Sequence, residues 1–294
     1  MTPPARGGEP ARQRGALQKT INHLIQLQEL TWARAQQAAS MPNARLEALD
    51  ENIRTLSGEL PEPFRTQFAR LQKRDLTALV PVAHGSCSAC GMKLPVSLEN
   101  AVKVGDRLYP CPACARLMYW PEVKFRGIGR RVMRGEPPKT GLERFSSPPL
   151  MVPDLEGATG EDVVTELCHV LEDHGFVENG LLIAREAMKR EAVCSTAVGG
   201  GVAFPHVRGV EGGGLTLAVG IHHKGVRFGA PSRQLTRLFF FMVIPTAASS
   251  FYLSLLAGLS QTLANKEKRD KVLACNTSAE LWKTLMRMTR ATIK

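Results

Sequence analysis

The sequence predicts a multidomain chain, with an N-terminal α-helical hairpin plus a small β ribbon, then a C-terminal α/β domain whose helices pack on a mixed sheet. Three observations carry that expectation. Apolar residues recur at three- and four-residue spacing through the first quarter of the chain. Two C-x2-C pairs stand twenty residues apart near residue 100. Beyond residue 155, helix-like periods alternate with strand-like apolar runs. At 294 residues and 44% hydrophobic composition, the chain has length for two domains and a sizeable core.

Residues 1–15 are rich in Pro, Gly and Arg and lack the apolar core of a signal peptide, so they read as a disordered arm. No apolar run approaches the roughly 18–20 residues that a membrane span requires. The longest, Leu238 to Ile244, stops at Pro245. The expectation is a cytoplasmic protein with no membrane insertion.

The helical region is expected over residues 16–78. Leu17, Ile21, Leu24, Ile25, Leu27 and Leu30 form one apolar row, which breaks near Met41-Pro42-Asn43. Leu46, Leu49, Ile53 and Leu56 form a second, with Glu47, Asp50 and Glu51 on its outer face. Two antiparallel helices follow from these rows, with His23 and Trp32 in their seam. A short basic third helix follows over Phe64, Phe68 and Leu71.

In residues 79–122, Cys87 and Cys90 are followed by Cys111 and Cys114. Each C-x2-C pair supplies two thiolates about one metal, with the intervening residues expected as strands that bring the pairs together. The spacing predicts a structural Zn2+ held by Cys87, Cys90, Cys111 and Cys114, with no open coordination position. His84 is read as a loop residue. The sequence around the cysteines resembles the C4-type zinc-ribbon family found after coiled-coil hairpins, over about Leu17 to Trp120. That family usually has glycine after its last cysteine, where this chain has Ala115; a left-handed alanine there costs about 1–2 kcal/mol.

The net charge is +11, and residues 81–150 hold eleven basic against five acidic side chains. Residues 116–134 could contact nucleic acid through Arg116 and the cluster Lys124, Arg126, Arg130, Arg131 and Arg134. Pro-rich composition and sparse aromatics favour a basic linker over residues 123–154 instead.

The α/β domain is expected over residues 155–294. Val163, Val164, Leu167 and Leu171 fit one amphipathic helix, and Leu181, Leu182, Ala184, Ala187 and Met188 a second. Leu215–Val219 and Leu238–Ile244 read as strands. Helices carrying Leu253, Leu256 and Leu259, then Leu281, Trp282 and Leu285, close the domain. Within it, Arg190 to His206 combines a charged pair, the hydroxyls of Ser195 and Thr196, Gly199-Gly200-Gly201 and a terminal histidine. The glycines permit backbone conformations closed to other residues. Val202-Ala203-Phe204 reads as a short buried strand, and Pro205 stiffens the exit that presents His206. A neutral imidazole is a nucleophile near pH 7 and needs nearby donors to carry an anionic group.

This segment resembles the active-site signature of phosphotransferase-system enzyme IIA domains of the fructose/mannitol/nitrogen-regulatory class. The resemblance runs from about Ala158 to Arg290 and includes Gly225–Ala230 and Leu253–Leu256. It implies that His206 accepts a phosphoryl group from the phosphocarrier protein HPr. Arg190 matches the family's arginine beside the phosphohistidine, and its guanidinium fork suits phosphate oxygens. Ser195 and Thr196 either donate hydroxyls to the group or cap the glycine turn. Glu191 is expected to orient Arg190. Family members commonly carry a second histidine where this chain has Tyr252, which donates a hydrogen bond but carries no positive charge near neutral pH. His222 and His223 are expected in a surface turn. Cys168, Cys194 and Cys275 read as packing residues, with Cys194 also a redox candidate.

The leading expectation is a soluble phosphocarrier or regulatory protein of the phosphotransferase system, charged by HPr on His206 and acting on a further protein. The alternative is a non-enzymatic zinc-ribbon adaptor that binds nucleic acid or protein, with a degenerate enzyme IIA domain. A conventional sugar-transport component ranks third.

Overall fold

Apart from Pro10, which the first turn tolerates, and Gly15, helix-forming residues sustain a single long helix, α1 (Glu9–Ser40). The computed structural model describes residues 9–40, 46–83, 85–121, 139–193, 195–210, 214–229, 234–245 and 249–293. The arm expected over 1–15 is therefore helical from Glu9, and its first eight residues lie outside the described set. The chain divides into two units, residues 1–34 with 45–124, and residues 35–44 with 125–294.

In the first unit, α1 is followed by α2 (Glu47–Glu59) and α3 (Glu62–Gln72). Leu17, Ile21, Leu24 and Leu27 of α1 bury against Leu60, Phe68, Leu71, Leu79 and Leu117, while Ile53 and Leu56 of α2 are only partly covered. The α1 row thus serves α3 and the ribbon as well as its hairpin partner. The buried amide of Gln28 fixes the register: its Nε2 donates to the Leu79 carbonyl (3.0 Å), and its Oε1 accepts from the Ala78 and Leu79 amides (2.8 and 2.9 Å). This satisfies backbone groups that would otherwise be costly to bury.

The ribbon comprises β1 (Leu79–Ala83), β2 (Ser86–Cys87), β3 (Tyr109–Pro110) and β4 (Leu117–Tyr119) in the order β2-β1-β4-β3. The β1–β4 pair is parallel and the others antiparallel. Between the cysteine pairs lies a helix, α4 (Val96–Val104), rather than strands alone. Gly105, at φ +67°, ends it in the left-handed conformation that glycine takes without penalty.

The second unit begins its described residues after the N-terminal segment at Lys139, and residues 139–154 are not linker. Two 3-10 turns (Gly141–Arg144 and Pro148–Leu150) bury Leu142 and Leu150, and β5 (Met151–Val152) joins the sheet. The apolar side chains among the prolines explain this: Leu142, Phe145, Leu150 and Met151 all reach the core. Residues 122–138, including most of the basic cluster, lie outside the described set.

Helices α5 (Gly160–Asp173) and α6 (Gly180–Val193) precede β6 (Ala197–Val198), β7 (Val202–Ala203), β8 (His206–Val210), β9 (Thr216–Val226) and β10 (Thr236–Pro245). The sheet runs β5-β9-β10-β7-β6, with β8 also on β10. Strand β10 is antiparallel to β9 and parallel to β7 and β8, so the sheet is mixed. Its continuous apolar run, including Phe239, Phe240 and Phe241, is buried on both faces, as a central strand requires. Helices α7 (Ser249–Leu263), α8 (Lys266–Leu273) and α9 (Ser278–Thr289) complete the unit. Among the described residues, no helix is long and apolar enough to cross a membrane.

Candidate functional site

Two cysteine knuckles in the first unit share one backbone design. The Gly91 amide donates to the Cys87 carbonyl (2.8 Å) and the Cys87 amide to the Met92 carbonyl (2.9 Å). In the second knuckle, Ala115 donates to Cys111 (2.9 Å) and Cys111 to Arg116 (2.8 Å). The knuckles bring the Sγ atoms of Cys87, Cys90, Cys111 and Cys114 within 4.8 Å of one another. The Cys87–Cys114 and Cys90–Cys111 separations are 3.8 and 3.7 Å. A tetrahedron with metal–sulfur bonds of about 2.3 Å has edges of about 3.8 Å, so the donor set fits such a metal. Burial pushes the Cys87 thiol up; at Cys114 burial also pushes up, but the Arg116 amide and guanidinium together with Cys111 and Cys90 bring the thiol down. Arg116 also donates to the Thr77 carbonyl (2.8 Å) and the Asp75 carboxylate (2.6 Å), so this member of the proposed nucleic-acid patch is engaged within the fold. His84 lies outside the described residues.

The second constellation surrounds His206. The glycine-linked pair β6–β7 is antiparallel, with Gly200 and Gly201 at φ +81° and +74°. Gly201 turns its carbonyl to the Arg237 and Leu238 amides (2.8 and 3.0 Å), anchoring the turn to β10. After Pro205 the chain re-enters the sheet, and His206 begins β8 opposite Met242. The imidazole is 2% exposed, and its Nδ1 lies 3.1 Å from the Phe204 carbonyl. A carbonyl only accepts, so Nδ1 carries the proton and the Nε2 lone pair is left for chemistry. Tyr252 is also buried; its hydroxyl lies 3.5 Å from Nδ1, with the ring centroids 5.1 Å apart.

Residues 146–288 match the family described as "Phosphoenolpyruvate-dependent sugar phosphotransferase system, EIIA 2", and residues 86–118 match "C4-type zinc ribbon domain". The C-terminal half is enzyme IIA-like. Over 116 residues it is 28% identical to the "PTS system fructose-specific EIIA component" of Haloferax volcanii, covering 40% of this chain and 75% of that protein. Over 120 residues it is 27% identical to the "PTS system fructose-specific EIIABC component" of Bacillus subtilis, covering 41% of this chain and 19% of that protein. Among solved structures, "Nitrogen Regulatory Protein IIA-Ntr from Neisseria meningitidis" aligns at 24% identity and a TM-score of 0.44, covering 48% of this chain and 96% of that one.

In the enzyme IIA-like domain, burial and then the Arg190 charge hold the His206 imidazolium well below histidine's ordinary range. The Phe204 carbonyl opposes that shift, and Arg208 adds to it. Arg208 is a cation the sequence reading passed over. Its position two residues along a strand from His206 is the available signal, because side chains at i and i+2 share a face. Arg190 lies in the last turn of α6, and its Nη2 donates to Gln36 Oε1 (3.1 Å).

Glu191 feels the Arg190 charge and also engages the turn. Its carboxylate accepts from the Thr196 amide (2.8 Å) and hydroxyl (2.6 Å), while the Ser195 hydroxyl oxygen accepts from the Ala197 amide (3.1 Å). These bonds support the turn-capping alternative for Ser195 and Thr196. Burial pushes the Glu191 carboxyl above its usual range, against the pull of Thr196 and Ser195. Gly229, at φ +54°, packs so closely that an added Cβ would lie 2.8 Å from Ser195 Oγ.

His222 is a correction: it lies within β9, not in a surface turn. It is buried, with Nε2 3.1 Å from the Gly157 carbonyl and Nδ1 accepting from the Gly225 amide (2.8 Å). Backbone partners at both nitrogens let a histidine occupy a strand interior. His223 is also in β9 but exposed. Cys168 and Cys275 are buried thiols, and Cys194 lies outside the described residues.

Proposed function

We propose that the protein is a phosphocarrier or regulator of the phosphotransferase system, with His206 as phosphoryl acceptor. The supporting observation is the buried, neutral His206 whose Nδ1 is engaged by the Phe204 carbonyl. Phosphoryl transfer asks mainly for in-line positioning and charge stabilisation. The Nε2 lone pair attacks the phosphorus carried by phosphorylated HPr as the phosphorus–nitrogen bond to the HPr imidazole breaks. The HPr ring, protonated on its other nitrogen, leaves neutral. Phosphorylated His206 keeps its Nδ1 proton, and the resulting positive ring is held against the Phe204 carbonyl. Arg190 supplies a guanidinium to the phosphoryl oxygens, with Arg208 adding to the local field.

The cysteine set holds a structural zinc; four thiolates leave no coordination position for a reacting water. Its module then serves for docking on a downstream protein, in the cytoplasm, with HPr as the donor partner.

Incubation with phosphoenolpyruvate, enzyme I and HPr, followed by intact mass without acid, should add one phosphoryl group to the wild type and none to His206→Ala. No gain beside verified phosphorylated HPr would overturn this reading. A degenerate enzyme IIA-like domain in a zinc-ribbon adaptor would then stand ahead of it, a reading motivated by Tyr252 at the second-histidine position.

A further inference from the structure

Gln36 stands far outside residues 146–288, the span matched to the enzyme IIA family. Nevertheless it belongs to the same unit as Arg190 and touches it directly. Its side chain is 4% exposed, an unusual burial for an amide near the end of a helix. Its Oε1 accepts from Arg190 Nη2 at 3.1 Å.

An amide oxygen is a neutral acceptor. A phosphoryl group at His206 would carry up to about two negative charges and several strong acceptor oxygens, and a guanidinium binds these more strongly than it binds an amide. The Arg190 charge acts on the His206 ring, so a phosphoryl group added there would draw on the cation that Gln36 holds.

We propose that Gln36 is a positioning residue that holds Arg190 in the unphosphorylated protein and yields it to the phosphoryl group. The proposal rests on the phosphocarrier reading. The last turns of α1 are then held more firmly in the unphosphorylated form, and coupling is reciprocal: whatever releases Gln36 from Arg190 favours phosphorylation.

Two substitutions in the full-length protein separate this role from a packing role. Gln36→Leu keeps the buried volume and removes the acceptor. Gln36→Glu offers Arg190 an ion pair. At a fixed ratio of phosphoenolpyruvate to pyruvate, with enzyme I and HPr present, intact mass reads the equilibrium between the two forms. The ratio of phosphorylated to unphosphorylated protein should rise about three- to ten-fold in Gln36→Leu and fall by a similar factor in Gln36→Glu. Shifts in the same direction, or none, would overturn the proposal.

If HPr does not phosphorylate the wild type, the carrier reading fails separately. Phosphoramidate, which phosphorylates histidine without a carrier protein, then replaces HPr in the same comparison. Hydrogen exchange adds a readout that needs no phosphorylation. Arg190→Ala should speed exchange of the amides at 35–40 about ten-fold while those of α5 stay unchanged. Unaltered exchange at 35–40 would mean that Arg190 does not hold this end of α1.

Discussion

In the second cysteine knuckle, Ala115 occupies the turn position that Gly91 fills in the first, at φ +62° against +74°. It is the only non-glycine residue with positive φ among the described residues. The departure was legible in the sequence because a knuckle is a local structure. Ala115→Gly should therefore stabilise the ribbon by about 0.5–1 kcal/mol, since relief of strain is partly offset by the freer unfolded chain. Denaturant unfolding of the zinc-loaded protein measures it, and a loss of stability would contradict the account. His206 makes a second residue-scale prediction. Its folded-state pKa is depressed by burial and Arg190, so below about pH 6.5 the unfolded chain binds a proton that the folded chain refuses. Stability from this group is present above that pH and falls as pH drops toward the depressed value, with a limiting slope of about 1.4 kcal/mol per pH unit. His206→Gln should flatten the stability curve in that window; an unchanged slope would rule the contribution out. Gln36 was not legible: nothing local distinguishes an amide near the end of an amphipathic helix from a solvated one.

At the scale of elements, long periodic helices and strongly apolar strands were readable. The apolar run in β10 and the row Leu17, Ile21, Leu24 marked their elements plainly. Strand β8 was missed because Arg208 and Gly209 interrupt apolar alternation, and its place is imposed by pairing with β10. Helix α4 was missed through the expectation of strands between the cysteines, although Gly105 after Lys103 offered a stop signal. The ribbon's strands are two to five residues long, too short to hold register by pairing alone. Chelation of the metal should therefore abolish hydrogen-exchange protection in β1–β4, with recovery on adding one equivalent of zinc. Protection that persists in metal-free protein would show that the apolar core suffices.

For the molecule as a whole, composition and cysteine spacing revealed the order of modules, but their limits were less accessible. Residues 139–154 read as linker because the proline pairs Pro137-Pro138 and Pro148-Pro149 punctuate this part of the chain, yet Leu142, Leu150 and Met151 belong to the second unit's core. The contact of Gln36 with Arg190 was also hidden, since residues so far apart in sequence meet only through folding. One topological fact has a consequence for biosynthesis. Strand β8, which bears His206, pairs with β10, whose last residue is Pro245. A ribosome adding roughly 5–20 residues per second completes that strand about two to eight seconds after it places the histidine. Through that interval the nascent chain has an imidazole but no sheet to seat it, so a product truncated ahead of Thr236 would retain every residue of the signature and still lack the site.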